Sequence, residues 1–354
     1  MKEIRGCADL VCTNEYMNKK KVKNFSRNAL YAISKIGCGT YLGDTDKKTD
    51  LMYKNAIEYA ISNGVNIIDT AINYRGMRSE VIVGEVLKEL ILKKIIKRSE
   101  IIVATKGGYL PADFRKNNQK ESLEKSVQEE RIAFFENNIL PNINYDKDYM
   151  QGIINRGNTL SKDIIKLLFE ESKKNLGLET IDLYYLHNPE YTKAEIGEEL
   201  FYEKLYETFL YLEEQIENGS LKYYGISTYG GFIVDEDKAE YLSLEKIMYT
   251  AEKAGGFNNN LKFIQLPFNK DMRNAGILKN QKIQDKIYTT LEAAKKLNLN
   301  VMTNISLNQG KSFPKYSSED MIKFLIDNKN ICSAMIGMKN INNVEKNLKL
   351  ILEK

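Results

Sequence analysis

Histidine is almost missing from this chain: His187 is the only one in 354 residues. The four cysteines, Cys7, Cys12, Cys38 and Cys332, include no CxxC pair. With one imidazole and no paired thiols, no plausible zinc set can be assembled. Reduced thiols in a cytoplasm are the expectation. No run approaches ~20 uninterrupted apolar residues, so a membrane-spanning helix is not expected. The opening "MKEIRGCADLVCTNEYMNKKK" has no apolar core of signal-peptide length. An excess of one charge sign is also lacking. The net charge is +4, with both signs mixed along the chain, so nothing marks a nucleic-acid partner. The basic run "NKKKVKN" (18–24) reads as a solvated loop. There is no tryptophan, no repeat of solenoid period and no low-complexity linker.

What is present is alternation. Short apolar, β-branched runs occupy 33–39, 65–69, 100–106, 180–187, 221–227, 262–266, 300–305 and 332–337. Between and after them lie amphipathic, helix-like segments near 49–63, 78–96, 161–176, 200–218, 244–254, 281–297, 317–328 and 341–353. Such alternation predicts βαβ units and a parallel sheet. Eight units predict an α/β fold, a closed (β/α)8 TIM barrel forming a single domain over 1–354. A doubly wound open sheet is the competitor, weakened because no strand is followed by GxGxxG. Two stretches fall outside the pattern. Residues 1–32 precede the first strand and are expected to cover the barrel bottom. Residues 107–160 form an insertion after the third strand, too long for an ordinary loop, with a helical pattern over 122–140. It is the expected lid.

In such a barrel the carboxyl ends of the strands face the active site. Asp69, Lys106, His187, Ser227 and Thr228 end or follow apolar strands. Gln265 lies within one, Asn304 near the end of another, and Gly337 at the last. Each has an ordinary explanation when taken singly. Asp69 can cap the next segment; Lys106 can be a surface lysine; His187 can be a hydrogen-bonded structural residue. Tyr74 is one of 22 tyrosines. The joint reading is stronger, because every one of these groups would converge on one mouth.

The ordered motifs resemble those of the aldo-keto reductases. "GCGTYLG" (37–43), "GVNIIDTAINYRGMRSEVIVGEVL" (64–87), "VATKGG" (103–108), "NLGLETIDLYYLHNP" (175–189), "GIST" (225–228), "FIQLPFN" (263–269) and "IGMKNINNVEKNL" (336–348) follow that family's order. The likeness covers about 33 to 350, the insertion excepted.

The resemblance implies reduction of an aldehyde or ketone by hydride from NADPH or NADH, with no metal. It implies a catalytic tetrad of Asp69, Tyr74, Lys106 and His187. Tyr74 would give the proton that meets charge on the carbonyl oxygen. Lys106 would lower the phenol's pKa, Asp69 would pair with Lys106, and His187 would hydrogen-bond the oxygen. Ser227, Thr228 and Gln265 match the nicotinamide-amide contacts, Thr228 standing where Asn is usual. Asn304 replaces an aromatic ring that many relatives stack on the nicotinamide. Gly39, Thr40, Asp69, Leu307, Gly337, Met338, Lys339 and Asn347 complete the implied cofactor site. Asn343 stands where NADP-preferring relatives often carry Arg, and Lys339 is the substitute cation; NADP is favoured over NAD. Tyr41, Tyr109 and Tyr229 are candidate walls for a small carbonyl substrate, or packing residues beneath the insertion. Two other readings stay open: a cofactor-binding regulatory protein with little catalysis, and an isomerase or lyase that cycles its nicotinamide. The sequence does not give the substrate, the reaction direction or the oligomeric state.

Overall fold

The structure, a computed structural model, describes residues 3–115, 123–143, 153 and 157–352. Eight parallel strands close into a barrel: β3 (Ile36–Gly39), β4 (Ile67–Asp69), β5 (Ile102–Gly107), β6 (Ile181–His187), β7 (Leu221–Ser227), β8 (Leu261–Pro267), β11 (Asn300–Asn304) and β12 (Ser333–Gly337). They pair in chain order, and β12 closes on β3 through Gly337↔Gly39. Each of the eight predicted strands therefore contributes one barrel strand.

Alternation along each strand decides what faces inward. Ile67, Ile102, Ala104, Leu183, Tyr185, Phe263, Met302 and Met335 form the buried barrel interior. One step of two further along β4, β5, β6, β8 and β11 come Asp69, Lys106, His187, Gln265 and Asn304. The polar groups are thus the top layer of an otherwise apolar stack. The intervening residues, such as Ile68, Val103, Leu186 and Ile264, pack outward against the helices in the main core.

The helical layer includes α2 (Lys47–Ser62), α3 (Arg78–Leu92), α5 (Lys162–Leu176), α7 (Glu198–Glu217), α8 (Leu244–Gly255), α10 (Thr290–Lys296), α11 (Ser318–Ile326) and α12 (Ile341–Leu348). In the insertion, α4 (Leu123–Phe134) continues into a π-helical turn over Phe135–Ile139. Residue 122 of the predicted helix lies outside the described residues, as does residue 353 of the last one. Phe134, Phe135 and Ile139 pack with Ile72, Met77 and Leu110 in a separate apolar cluster, so the insertion leans on the region around Tyr74.

One segment departs from expectation. The predicted helix over 281–297 is a hairpin, β9 (Lys279–Ile283) with β10 (Lys286–Thr289), followed by the short α10. Thr289 and Glu292 form a capping box that fixes the helix start there, and β-branched Ile283 and Ile287 suit the strands.

At the N-terminus, α1 (Leu10–Lys19) and the hairpin β1 (Phe25–Arg27) with β2 (Ala32–Ser34) close the barrel floor. Ala8, Tyr31 and Ile33 join the barrel-interior cluster. The Ala8 N–H donates to Asp182 Oδ1 at 2.6 Å. Asp182 also takes the Arg98 guanidinium at 2.6 Å and the Val103 N–H at 2.8 Å. The predicted first strand, 33–39, is divided: its first residues belong to β2 and the rest to β3.

Candidate active site

Lys106 is fully buried (0% exposed), and its ammonium is saturated by neighbours. Its Nζ donates to Asp69 Oδ2 at 2.7 Å, to the Thr70 carbonyl at 2.9 Å and to the Tyr74 hydroxyl at 3.4 Å. A buried ammonium is tolerable only with a close counter-charge and full hydrogen bonding, and the end of β4 with the loop after it supplies both. Burial draws the Lys106 pKa down, and Asp69 works against that shift.

The other Asp69 oxygen is also used. Gln265 Nε2 donates to Oδ1 at 2.9 Å, and Ser227 Oγ donates to Gln265 Oε1 at 2.8 Å. One hydrogen-bonded line therefore runs Tyr74, Lys106, Asp69, Gln265, Ser227 across four strands. Only Tyr74 in it is outside a strand. It sits on the β4–α3 loop, followed by three residues of left-handed backbone: Arg75 (φ 49), Gly76 (φ 59) and Met77 (φ 67). Such φ values cost a side-chain-bearing residue ~1–2 kcal/mol each, and the turn is held from outside. Arg75 donates through Nη2 to Asp50 at 2.6 Å and twice to the Asp44 carbonyl. Arg78 also pairs with Asp50 and reaches the Phe114 carbonyl in the insertion.

His187 stands beside this line. Its ring meets that of Tyr74 edge-on, with centroids 5.8 Å apart. Burial first, then the Lys106 charge, hold the imidazole well below its ordinary pKa, so it is neutral at physiological pH. Its Nδ1 is sealed from solvent and has no partner among the described residues. Tyr74 departs from the expected electrostatics. Burial, and after it the charge of Asp69, raise the phenol well above its ordinary value. The expected lowering by Lys106 does not win, because loss of water around the phenol outweighs it.

The remaining predicted residues divide into two groups. Thr40 is buried and directs both its N–H and its hydroxyl to the Asp69 carbonyl, at 3.2 Å each. Gly39, Ser227, Thr228, Gln265, Asn304 and Gly337 share the same rim, with Asn304 Oδ1 buried and unpartnered among the described residues. Thr228 Oγ1 accepts from the Gly231 N–H at 2.7 Å. Leu307 lies half-buried in the loop beyond β11. Met338 is buried, whereas Gly337, Lys339 and Asn343 are exposed; Lys339 lies beside Gly43. Asn340 caps α12 through the Asn342 N–H. Asn347 is different: it sits seven residues further along α12, ~10 Å from the cap, in a groove shared with Lys23, Asn24 and Leu350.

Two acids at the site were not legible. Glu190 is fully buried, accepts the Tyr229 and Gly230 N–H groups at 2.7 and 3.0 Å, and has its carboxyl pushed up by burial. Its signal was an acid directly after "HNP". Glu80, behind β5, accepts from Thr105 and Asn175 at 2.6 and 2.8 Å. Asn158, in the returning part of the insertion, donates to the His187 carbonyl at 2.9 Å, and nothing local announces it. Among the described residues, no helix is long and apolar enough to cross a membrane.

The model of the aldo/keto reductase family matches residues 35–133 and 152–243, more than half of the chain. Solved structures agree in fold. An aldo/keto reductase of Klebsiella pneumoniae in complex with NADP and acetate is 17% identical, with a TM-score of 0.58 over 93% of this chain and 89% of its own. The holo form of an aldo-keto reductase of Bacillus halodurans is 18% identical, at 0.54 over 93% and 90%. A glycerol dehydrogenase of Gluconobacter oxydans is 18% identical, at 0.55 over 94% and 95%.

Proposed function

Since the chain belongs to the aldo/keto reductase family, a family of NAD(P)H-dependent oxidoreductases, we propose that it reduces a small aldehyde or ketone with NADPH, Tyr74 giving the proton. The observation that carries this reading is the bond line from Asp69 through Lys106 to the Tyr74 hydroxyl, with His187 alongside.

The residues present suit a nicotinamide amide. Ser227 Oγ gives its proton to Gln265 Oε1, which leaves its lone pairs to accept an amide N–H. Gln265 gives one N–H to Asp69 and has a second to offer. Both side chains are thus oriented in advance and still have hydrogen-bonding capacity. At the other end, the capped start of α12 and the Lys339 ammonium suit phosphate groups, Lys339 serving as a point charge for the 2′-phosphate. NADP complexes among the structural relatives support the same choice of cofactor. Bound there, the cofactor supplies hydride to the carbonyl carbon.

The side chains then handle charge and proton. His187, neutral, donates a hydrogen bond to the carbonyl oxygen and fixes its direction. Tyr74, with its pKa raised, is fully protonated near pH 7 and holds its proton ready. As negative charge gathers on the oxygen, the phenol transfers that proton. The phenolate left behind faces Lys106 at 3.4 Å, and that cation stabilises it. Asp69 keeps the ammonium in place throughout. The exposed Tyr41 and Tyr229 and the half-buried Tyr109 stand around the mouth as substrate walls.

The test is titration with NADPH and with NADH by cofactor fluorescence, followed by a carbonyl panel read at 340 nm. The reading expects tighter NADPH binding and carbonyl-dependent NADPH loss. Binding without turnover across a broad panel would contradict it.

A further inference from the structure

We propose that the two limbs of the 107–160 insertion form a positioning device for His187: Tyr109 on the outgoing limb fixes its ring, and Asn158 on the returning limb fixes its backbone. The proposal deepens the preceding reading and rests on its assignment of His187 to the carbonyl oxygen.

The limbs are zipped directly above the strand end. The Leu110 N–H donates to the Gly157 carbonyl and the Thr159 N–H to the Gly108 carbonyl, both at 2.8 Å, with Tyr109 and Asn158 bridged between them. This stem lies on β6. Asn158 is only 1% exposed; Nδ2 donates to the His187 carbonyl and Oδ1 accepts from Thr192, each at 2.9 Å. Two glycines make the approach possible. A Cβ on Gly107 would stand 1.9 Å from the Tyr184 hydroxyl, and one on Gly108 (φ +131) would stand 3.1 Å from the His187 carbonyl oxygen. The next residue, Asn188, gives its side-chain N–H to the Tyr109 hydroxyl at 3.2 Å. The stem is therefore tied to the end of β6 and the segment after it at residues 187, 188 and 192.

A working histidine is ordinarily oriented by a hydrogen bond from its second ring nitrogen. Here Nδ1 has no such partner among the described residues. Packing takes over that task. The Tyr109 ring stands edge-on to the imidazole with centroids 4.9 Å apart, and the Tyr74 ring does the same at 5.8 Å. A proton on Nδ1 would be a buried donor with no acceptor, so the neutral ring keeps it on Nε2. That is the nitrogen that must donate to a carbonyl oxygen. The ionisable groups around the ring are Tyr74 and Lys106 below it and Tyr109 above it, with Glu190 acting on Tyr109.

Because His187 is the only histidine, selective ¹⁵N-histidine labelling gives a single imidazole to follow. Wild type should show one neutral tautomer, protonated on Nε2, with no titration near pH 6.5. Tyr109→Leu should admit water to the ring, move its titration up toward that value and average its tautomers. Tyr109→Phe, which keeps the ring edge, should restore the wild-type pattern. In turnover, Tyr109→Leu should lose ~10- to 100-fold in kcat, with NADPH affinity within about twofold and an altered pH profile. A wild-type tautomer and pH response in Tyr109→Leu would overturn the proposal. The spectrum decides this even without turnover, whereas an absence of turnover in wild type counts against the function reading alone.

Discussion

At the scale of single residues, the site is a problem of burying charge. Lys106 has no exposed surface, and among the described residues Asp69 is its only carboxylate partner, at 2.7 Å. Asp69→Asn leaves that ammonium unpaired and should destabilise the fold by about 3–5 kcal/mol, measured by denaturant unfolding, with kcat falling as well. His187 gives a pH signature. In the unfolded chain it binds protons near 6.5, and in the folded chain only well below that. Between those values the unfolded state holds more protons, so its contribution to stability is lost as pH falls below about 6.5. Glu80 and Glu190, whose pKa values burial raises, slope the other way. The comparison that isolates the histidine is therefore His187→Gln against wild type: the wild-type melting midpoint should drop more between about pH 7 and pH 5. Asp69, Lys106 and His187 were readable in the sequence because ionisable side chains ending apolar strands are conspicuous; Tyr74, on a loop, was readable only through the family resemblance. Asn158 was not, because its partner is a backbone carbonyl 29 positions away. The direction of the Tyr74 shift was not either, since it depends on how much water burial removes.

At the scale of elements, what was legible is what periodicity controls. The barrel strands carry β-branched runs with a polar residue in the last inward position, and their bounds fall within a few residues of those expected. The segment 281–297 failed because its amphipathic spacing suits either a helix or a short hairpin, and a local cap decided between them. Thr289 accepts the Glu292 N–H, and Glu292 returns a bond to the Thr289 N–H. Thr289→Ala should cost about 1 kcal/mol, read as a lower midpoint in urea, and should leave cofactor binding untouched because α10 lies on the barrel exterior. The left-handed turn after Tyr74 was equally hidden. Arg75 and Met77 give no local sign of positive φ; the Asp44 carbonyl in the loop before α2 and Asp50 in the first turn of α2 impose it.

At the scale of the whole molecule, the barrel is closed by segments outside its eight units. The N-terminal segment fills the floor with Tyr31 and Ala8, and the insertion stem fixes one strand end at the mouth. We propose that 1–354 folds as one unit. Removing residues 1–31 should then expose the barrel interior, leave Asp182 short of one donor, and lower the thermal midpoint by ~5–10 °C, as seen by circular dichroism. An unchanged midpoint would mean that the floor is an independent appendage. Both a regulatory role and internal cofactor cycling leave the same barrel standing, so fold measurements do not separate them from reduction. The account turns instead on one hydroxyl. The decisive measurement is the rate of NADPH oxidation by Tyr74→Phe with a carbonyl that wild type reduces, at saturating cofactor. The account predicts a loss of ~10²- to 10⁴-fold with NADPH still bound; a rate equal to wild type would contradict it.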